Sequence, residues 1–209
     1  TCECWCNYVV VSNDERSKMG AGPRDMVVEQ YQKLDVAQHD HASGGSHDKN
    51  FSFNHTVKML VFALENYTGA NTHHYRSNYT ITAPDVNSGF VLNGVDPLST
   101  ATLKYDNTDR FTLNSDYFQL VQPFYYANQI PSGNVGASPV GINMYSYALN
   151  PLSSDPSGST NYGKLTNVSL VFTPSSLANS ATGSYQLYVT AVNHNVVRIS
   201  GGALGFPVL

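Results

Sequence analysis

The sequence predicts an all-β fold, a jelly-roll β-sandwich, and three observations carry that expectation. From Phe51 onward, short runs rich in Val, Thr, Tyr and Phe alternate apolar with polar residues, the period-2 pattern of half-buried strands. Their separators, NSG, NGVDP, PSGN and DPSGS, are turn chemistry. No amphipathic helical pattern stands out beyond one short turn near the N-terminus. Many short strands with long Gly/Ser/Asn/Pro-rich connections indicate two packed sheets, and a count of about eight strands fits a jelly roll.

In chain order, TCECWC continues as WCNYVVV. Residues i, i+2 and i+4 of a strand share a face, so Cys2, Cys4 and Cys6 line up together. All the cysteines fall in these six residues, which leaves no long-range disulfide partner in the chain. C-x-C-x-C is not the C-x2-C turn spacing of a zinc site. The reading left is small buried thiols on a strand that stops at Ser12-Asn13-Asp14.

Asn13 or Asp14 is expected to cap a helical turn, DERSKM, that Gly20 ends, with GAGP as a linker. DMVVEQYQ resumes an extended pattern, and HDHASGGSHDKN reads as an exposed loop. FSFNHTVKMLVFALEN becomes apolar on both faces after Leu60, as in a strand covered on both sides. SNYTITAP, TATLKYDN, SDYFQLVQPFYY, NMYSYALN, YGKLTNVSLVFTP and SYQLYVTAVNHNVVRIS are the further expected strands.

Composition narrows the function classes. Only 12% of the 209 residues are charged, about half of the roughly 25% usual in soluble domains. Like charge normally keeps neighbours apart, so such a surface belongs inside an assembly. Net charge is −4 with no basic run, which argues against direct nucleic-acid binding. No apolar stretch reaches the ~20 residues of a membrane span. The first residues are already strand-like and carry no leader pattern, so the chain is expected to start inside a structural element of a longer protein.

Candidate chemistry is sparse. His39, His41 and His47 share the Gly/Ser loop, and a jelly roll with H-x-H raises a cupin-type metal site. No Glu follows at the needed distance, and cupin ligands sit on strands, so solvated loop histidines are expected, with no metal and no cofactor. No G-x-S-x-G elbow, Cys/His arrangement or Gly-rich phosphate loop is present, and an enzyme is not expected. N-x-S/T sequons at Asn54, Asn66, Asn78 and Asn167 make glycosylation chemically feasible and no more. The 14 tyrosines suit core and interface alike. Of these, Tyr125 and Tyr126 are candidates to face a neighbour.

Four longer segments carry a family resemblance. DPSGSTNYGKLTNVSL (155–170) resembles a hallmark of the major capsid proteins of large icosahedral DNA viruses, with Gly158, Ser159, Asn161, Lys164 and Asn167 at its motif positions. NHNVVRISGGALGFPVL (193–209) is similar to the C-terminus of the iridovirus type, carrying Asn195, Arg198, Gly202 and Gly205. FNHTVKMLVF is similar to the family's H-x-V-K strand through His55, Val57 and Lys58, although Thr56 stands where Ala or Pro is commoner. VVVSNDERSKMGAGPRDMVVEQ resembles its inter-domain passage. The loops HDHASGGSHDK and YTGANTHHYRS depart from the pattern, as variable insertions do.

The resemblance implies a double jelly roll of which this chain is the second half. Residues 1–13 would be the last strand of the preceding jelly roll, 14–24 the linker with its helical turn, and 25–209 the C-terminal jelly roll. Cys2, Cys4 and Cys6 would be buried in the parent and prone to oxidation when uncovered. It further implies a structural protein of the virion shell that assembles in the host cytoplasm. Homotrimers would form pseudo-hexagonal capsomers, with neighbouring capsomers, minor capsid proteins and a host-surface receptor as partners. The alternative is a jelly-roll carbohydrate- or receptor-binding module using Tyr67, Tyr75 and His73.

Overall fold

The computed structural model describes residues 2–34, 40–41, 45–66, 96–128, 141–176, 178, 184–201 and 203–207. It divides into two units, residues 1–28 with 195–209 and residues 29–194.

The strands are β1 (Arg24–Lys33), β2 (Asp40–His41), β3 (His47–Phe51), β4 (Thr56–Asn66), β5 (Leu98–Tyr105), β6 (Thr108–Asn114), β7 (Ile142–Ser146), β8 (Thr160–Asn161), β9 (Val168–Pro174) and β10 (Ser184–Ser200); residues 24–28 of β1 and 195–200 of β10 belong to the smaller unit and the rest to the larger. One sheet runs β1-β10-β4-β7, with β2 on β10 and β8 on β4; the other runs β3-β9-β5-β6. The ladders are antiparallel. Period-2 burial builds the core between the sheets. Leu60, Phe62 and Leu64 of β4 and Tyr185, Leu187, Val189 and Ala191 of β10 meet Ala101 and Leu103 of β5 and Val168, Leu170 and Phe172 of β9. Each such Leu, Val or Phe contributes about 1.5–3 kcal/mol by leaving water. The all-β expectation holds.

Several elements differ from the sequence reading. SDYFQLVQPFYY is not a strand: Tyr117–Val121 is a π-helical turn running into α2, Gln122–Ala127. Pro123 sits where the π-helical turn passes into α2, whereas inside a ladder its missing N–H would break pairing. Phe118, Gln119, Gln122 and Pro123 are buried at helical spacing, i, i+1, i+4 and i+5. The run DRFTLN, not expected as an element, forms β6 against β5. HDHASGGSHDKN contributes β2 and β3 rather than a loop throughout, because β10 and β9 supply ladder partners. SNYTITAP lies outside the described residues.

In the smaller unit, α1 (Asn13–Gly20) is capped by Ser12, not by Asn13 or Asp14: the Ser12 hydroxyl accepts from the Glu15 N–H at 3.3 Å. Asp14 and Glu15 in its first turn and Lys18 in its last suit the helix dipole. The end of β10 turns at Gly201 (φ +58°) and pairs with β11 (Ala203–Gly205). Residues 2–12 form no helix or strand, and Trp5, Tyr8, Val9 and Val10 are exposed.

Candidate functional site

The β4–β10 ladder slips by one residue, between Val192↔Met59 and Asn193↔Val57, so Lys58 is the extra residue of a β-bulge. The bulge restores phase: Val57 joins Leu60, Phe62 and Leu64 in the core despite an odd separation. Lys58 itself is buried, its side chain 1% exposed. A buried ammonium requires partners. Lys58 Nζ donates to Glu29 Oε1 and to the Ser153 carbonyl, the latter at 3.2 Å. The Lys58 carbonyl in turn accepts from the N–H groups of Tyr147 (2.9 Å) and Ala148 (3.2 Å).

Beside this pair, burial and then the Lys58 charge hold His194 below the ordinary imidazole value, with Glu29 opposing them. The neighbouring Asn193 is fully buried, and its Oδ1 accepts from Gln32 Nε2 at 2.9 Å. The same Gln32 amide brackets the backbone of Asn54, donating to its carbonyl at 2.7 Å and accepting from its N–H at 2.8 Å. This pins the turn into β4, where His55 takes φ +64°. Glu29, Gln30, Tyr31, Gln32, Asn54 and His55 line an open groove of about 530 Å³ here.

The 155–170 segment docks at the same place. Asn161 pairs with Thr56 through β8, and the Tyr162 N–H donates to the His55 carbonyl at 3.0 Å. Two stretches that read as separate motifs in sequence are thus one assembly in space. Tyr162, buried, links by its hydroxyl to Tyr147 (2.6 Å), which links to Tyr105 (2.5 Å). Desolvation pushes the Tyr147 and Tyr162 hydroxyls far above the usual phenol range, so they stay protonated. Gly158 has φ +147°, and a Cβ there would sit 2.6 Å from the Tyr147 carbonyl oxygen. That close approach requires glycine. Ser159 and Lys164 are exposed. Asp106 Oδ1 accepts from the N–H groups of Thr166 and Asn167, whose side chain donates to Asn107 at 3.3 Å.

In the smaller unit, Arg198 holds Asp25 by two parallel bonds, Nε to Oδ1 at 2.7 Å and Nη2 to Oδ2 at 2.6 Å. This lowers the Asp25 carboxyl below its ordinary range. Arg198 also faces Gly205 across the β10–β11 hairpin. Asn195 is buried and accepts from the Val196 N–H at 2.8 Å; Gly202 is outside the described residues.

His39 and the side chain of His41 lie outside the described residues, and His47 is on β3, stacked on Phe172 at 5.3 Å. No cluster of three His, Cys, Asp or Glu among the described residues is arranged for a metal ion. Tyr67, His73, Tyr75, Asn78 and the side chain of Asn66 are likewise outside the description. Asn54 is exposed; Asn167 is half-buried and its sequon partner Ser169 is buried. The Cys4 and Cys6 sulfurs lie 3.6 Å apart and exposed. No helix among the described residues is long and apolar enough to cross a membrane.

Sequence reasoning missed Glu29, Gln32 and Asn193, although a Lys inside the apolar run VKMLVF was itself a signal that a buried acid must exist. It also missed the exposed outer face of the 117–127 helical segment, Leu120, Val121, Phe124 and Tyr125. Only Tyr125 had been singled out.

Comparison with known proteins decides the family. The model of the large eukaryotic DNA virus major capsid protein family matches residues 15–205. The chain belongs to this family. It is 44% identical over 225 residues to the major capsid protein of Invertebrate iridescent virus 3, covering 99% of this chain and 46% of that protein. With the major capsid protein of Invertebrate iridescent virus 6 it shares 41% identity, over 98% of this chain and 46% of the relative. The chain therefore spans about half the length of the curated capsid proteins it matches, and corresponds to their C-terminal half. A PBCV-1 virus capsid structure superposes with a TM-score of 0.70 at 24% identity, over 97% of this chain and 55% of that one. A Faustovirus major capsid protein gives 0.66 at 16%, over 91% and 36%. These structures establish the fold, the jelly roll of double jelly-roll capsid proteins, as the sequence predicted.

Proposed function

We propose that this chain is the C-terminal jelly roll of a viral major capsid protein, a structural subunit of the virion shell. The carrying observation is the family match across residues 15–205 on a two-sheet sandwich of the matching fold. In this reading residues 1–13 complete a preceding jelly roll, 14–24 link, and 25–209 form the second one. The exposed Trp5, Tyr8, Val9 and Val10 then meet the sheet they belong to. Three subunits form a pseudo-hexagonal capsomer that tiles an icosahedral shell assembled in the host cytoplasm. Neighbouring capsomers and minor capsid proteins cover its sides, and a host-surface receptor meets its outer loops. The low charge supports this reading, since subunit sides with few charges meet others at small desolvation cost.

Native and denatured mass of the protein purified from virions tests the proposal. A polypeptide about twice this length running as a trimer is the expected result. A stable monomer with the mass of this chain alone would overturn it.

A further inference from the structure

Where β5 begins, Asp96 lies beneath the helical segment 115–127. Its Oδ1 accepts from the Leu98 N–H at 2.8 Å, and its Oδ2 accepts from Gln119 Nε2. Gln119, 5% exposed, also reaches Asn143 Oδ1 of β7 at 3.4 Å. Asn143 is fully buried, and its own Nδ2 has no partner among the described residues. An N–H without an acceptor in the interior is costly and rare. The segment has a second tether to β7, where Gln122 Oε1 accepts from the Ser146 N–H at 3.1 Å. Its outer face exposes Leu120, Val121, Phe124 and Tyr125.

We propose that Asp96, Gln119 and Asn143 form a proton-gated latch that grips the 115–127 helical segment more tightly in mild acid than at neutral pH. With Asp96 ionised, both its oxygens accept, Gln119 must present its NH2 group, and Asn143 Nδ2 is stranded. When a solvent proton adds to Oδ2, that oxygen becomes a donor. Gln119 then turns its amide over to accept it, and Asn143 turns likewise, so that its Nδ2 donates to the Gln119 oxygen. Asn143 Nδ2 thereby gains an acceptor, its Oδ1 takes the unpartnered place in the interior, the Gln119 NH2 turns away from its two former acceptors, and the half-buried negative charge of Asp96 is removed.

The electrostatic surroundings favour this. Burial raises the Asp96 carboxyl to about 6, and the Asp116 charge adds to it, against the lowering bonds from Leu98, Ser115 and Gln119. Asp116 is the charged neighbour; Ser115 and Gln119 on the helical segment, Leu98 on β5 and Asn143 on β7 bring no charge. Residues 86–95 and 129–140, which adjoin these elements in sequence, contain no ionisable side chain.

The test is amide hydrogen exchange of residues 117–127 at pH 5 and pH 8, corrected for intrinsic rates, together with direct NMR titration of the Asp96 carboxyl. A group that titrates near 6 when closed and near 3.8 when open changes the closing equilibrium about tenfold across that interval. About tenfold greater protection at pH 5 is therefore expected in the unaltered protein. In Asp96→Asn, whose amide donates permanently, protection should be high and independent of pH. Protection equal at the two pH values, a pH dependence that persists in Asp96→Asn, or an Asp96 titration below about 4.5 would each overturn the latch. The titration needs no variant, so a misfolded Asp96→Asn leaves the proposal open to refutation.

Discussion

Replacing Glu29 by Gln isolates the buried charge at the bulge. Lys58 is 1% exposed and its ammonium has Glu29 and one backbone carbonyl as partners, so the neutral amide leaves a nearly bare cation in the interior. Breaking a buried pair from one side costs about 3–5 kcal/mol. Glu29 is 28% exposed, so some water already reaches the pair, and the lower end, about 3 kcal/mol, is expected. In a domain of this size that corresponds to a fall of roughly 6–12 °C in Tm. Lys58→Met removes the cation instead and leaves Glu29 able to hydrate, at a cost of about 1–2 kcal/mol. The double variant should lose less than the sum, with a coupling of about 2 kcal/mol in urea unfolding. A Glu29→Gln variant within about 0.5 kcal/mol of the parent, or a cycle with no coupling, would refute the claim that this pair is a buried structural charge.

Gly158→Ala should cost about 2 kcal/mol, because φ +147° excludes a side chain and the Cβ strikes the Tyr147 carbonyl; denaturant midpoints check it. Tyr147→Phe strips the shared hydroxyl from Tyr105 and Tyr162 and should cost about 1–2 kcal/mol by the same measurement, with the fold intact by circular dichroism. His194 contributes a pH dependence of known sign. Its folded value is depressed, so the folded state binds this proton less readily than the unfolded chain; its stabilisation is full above 6.5 and declines as pH falls below that. His194→Gln should flatten the slope of global stability between pH 6.5 and 5. Asp96 acts in the opposite sense over an overlapping range, so local exchange at 117–127 and the global slope must be read separately. Arg198→Ala leaves Asp25 in water, and no resolvable change in unfolding midpoint is expected.

The fold class was legible because strand periodicity is a local property: β4, β5, β9 and β10 each carry their alternation within a few residues. The family was legible for a similar reason, since its motifs are contiguous stretches. The segment at 117–127 was not, because Tyr, Phe, Leu and Val suit a buried strand and a buried helix equally. Pro123 was the one local mark against a strand. The β2 and β3 strands were hidden in a polar, Gly-rich run, where pairing with β10 and β9 outweighs composition.

By itself, then, the sequence determined an all-β sandwich, a low-charge surface and membership of a capsid family. Only the tertiary structure decided where the buried charge goes. Lys58 is the extra residue of a one-residue bulge, Glu29 on β1 and Ser153 in a loop reach its ammonium from distant points in the chain, and His194 on β10 feels its charge. No local pattern records that convergence, because the cost of burying a charge is set by whatever the fold brings within a few ångströms. The same holds for Asp96, an ordinary turn residue in sequence, whose carboxyl is displaced only because a helix closes over it.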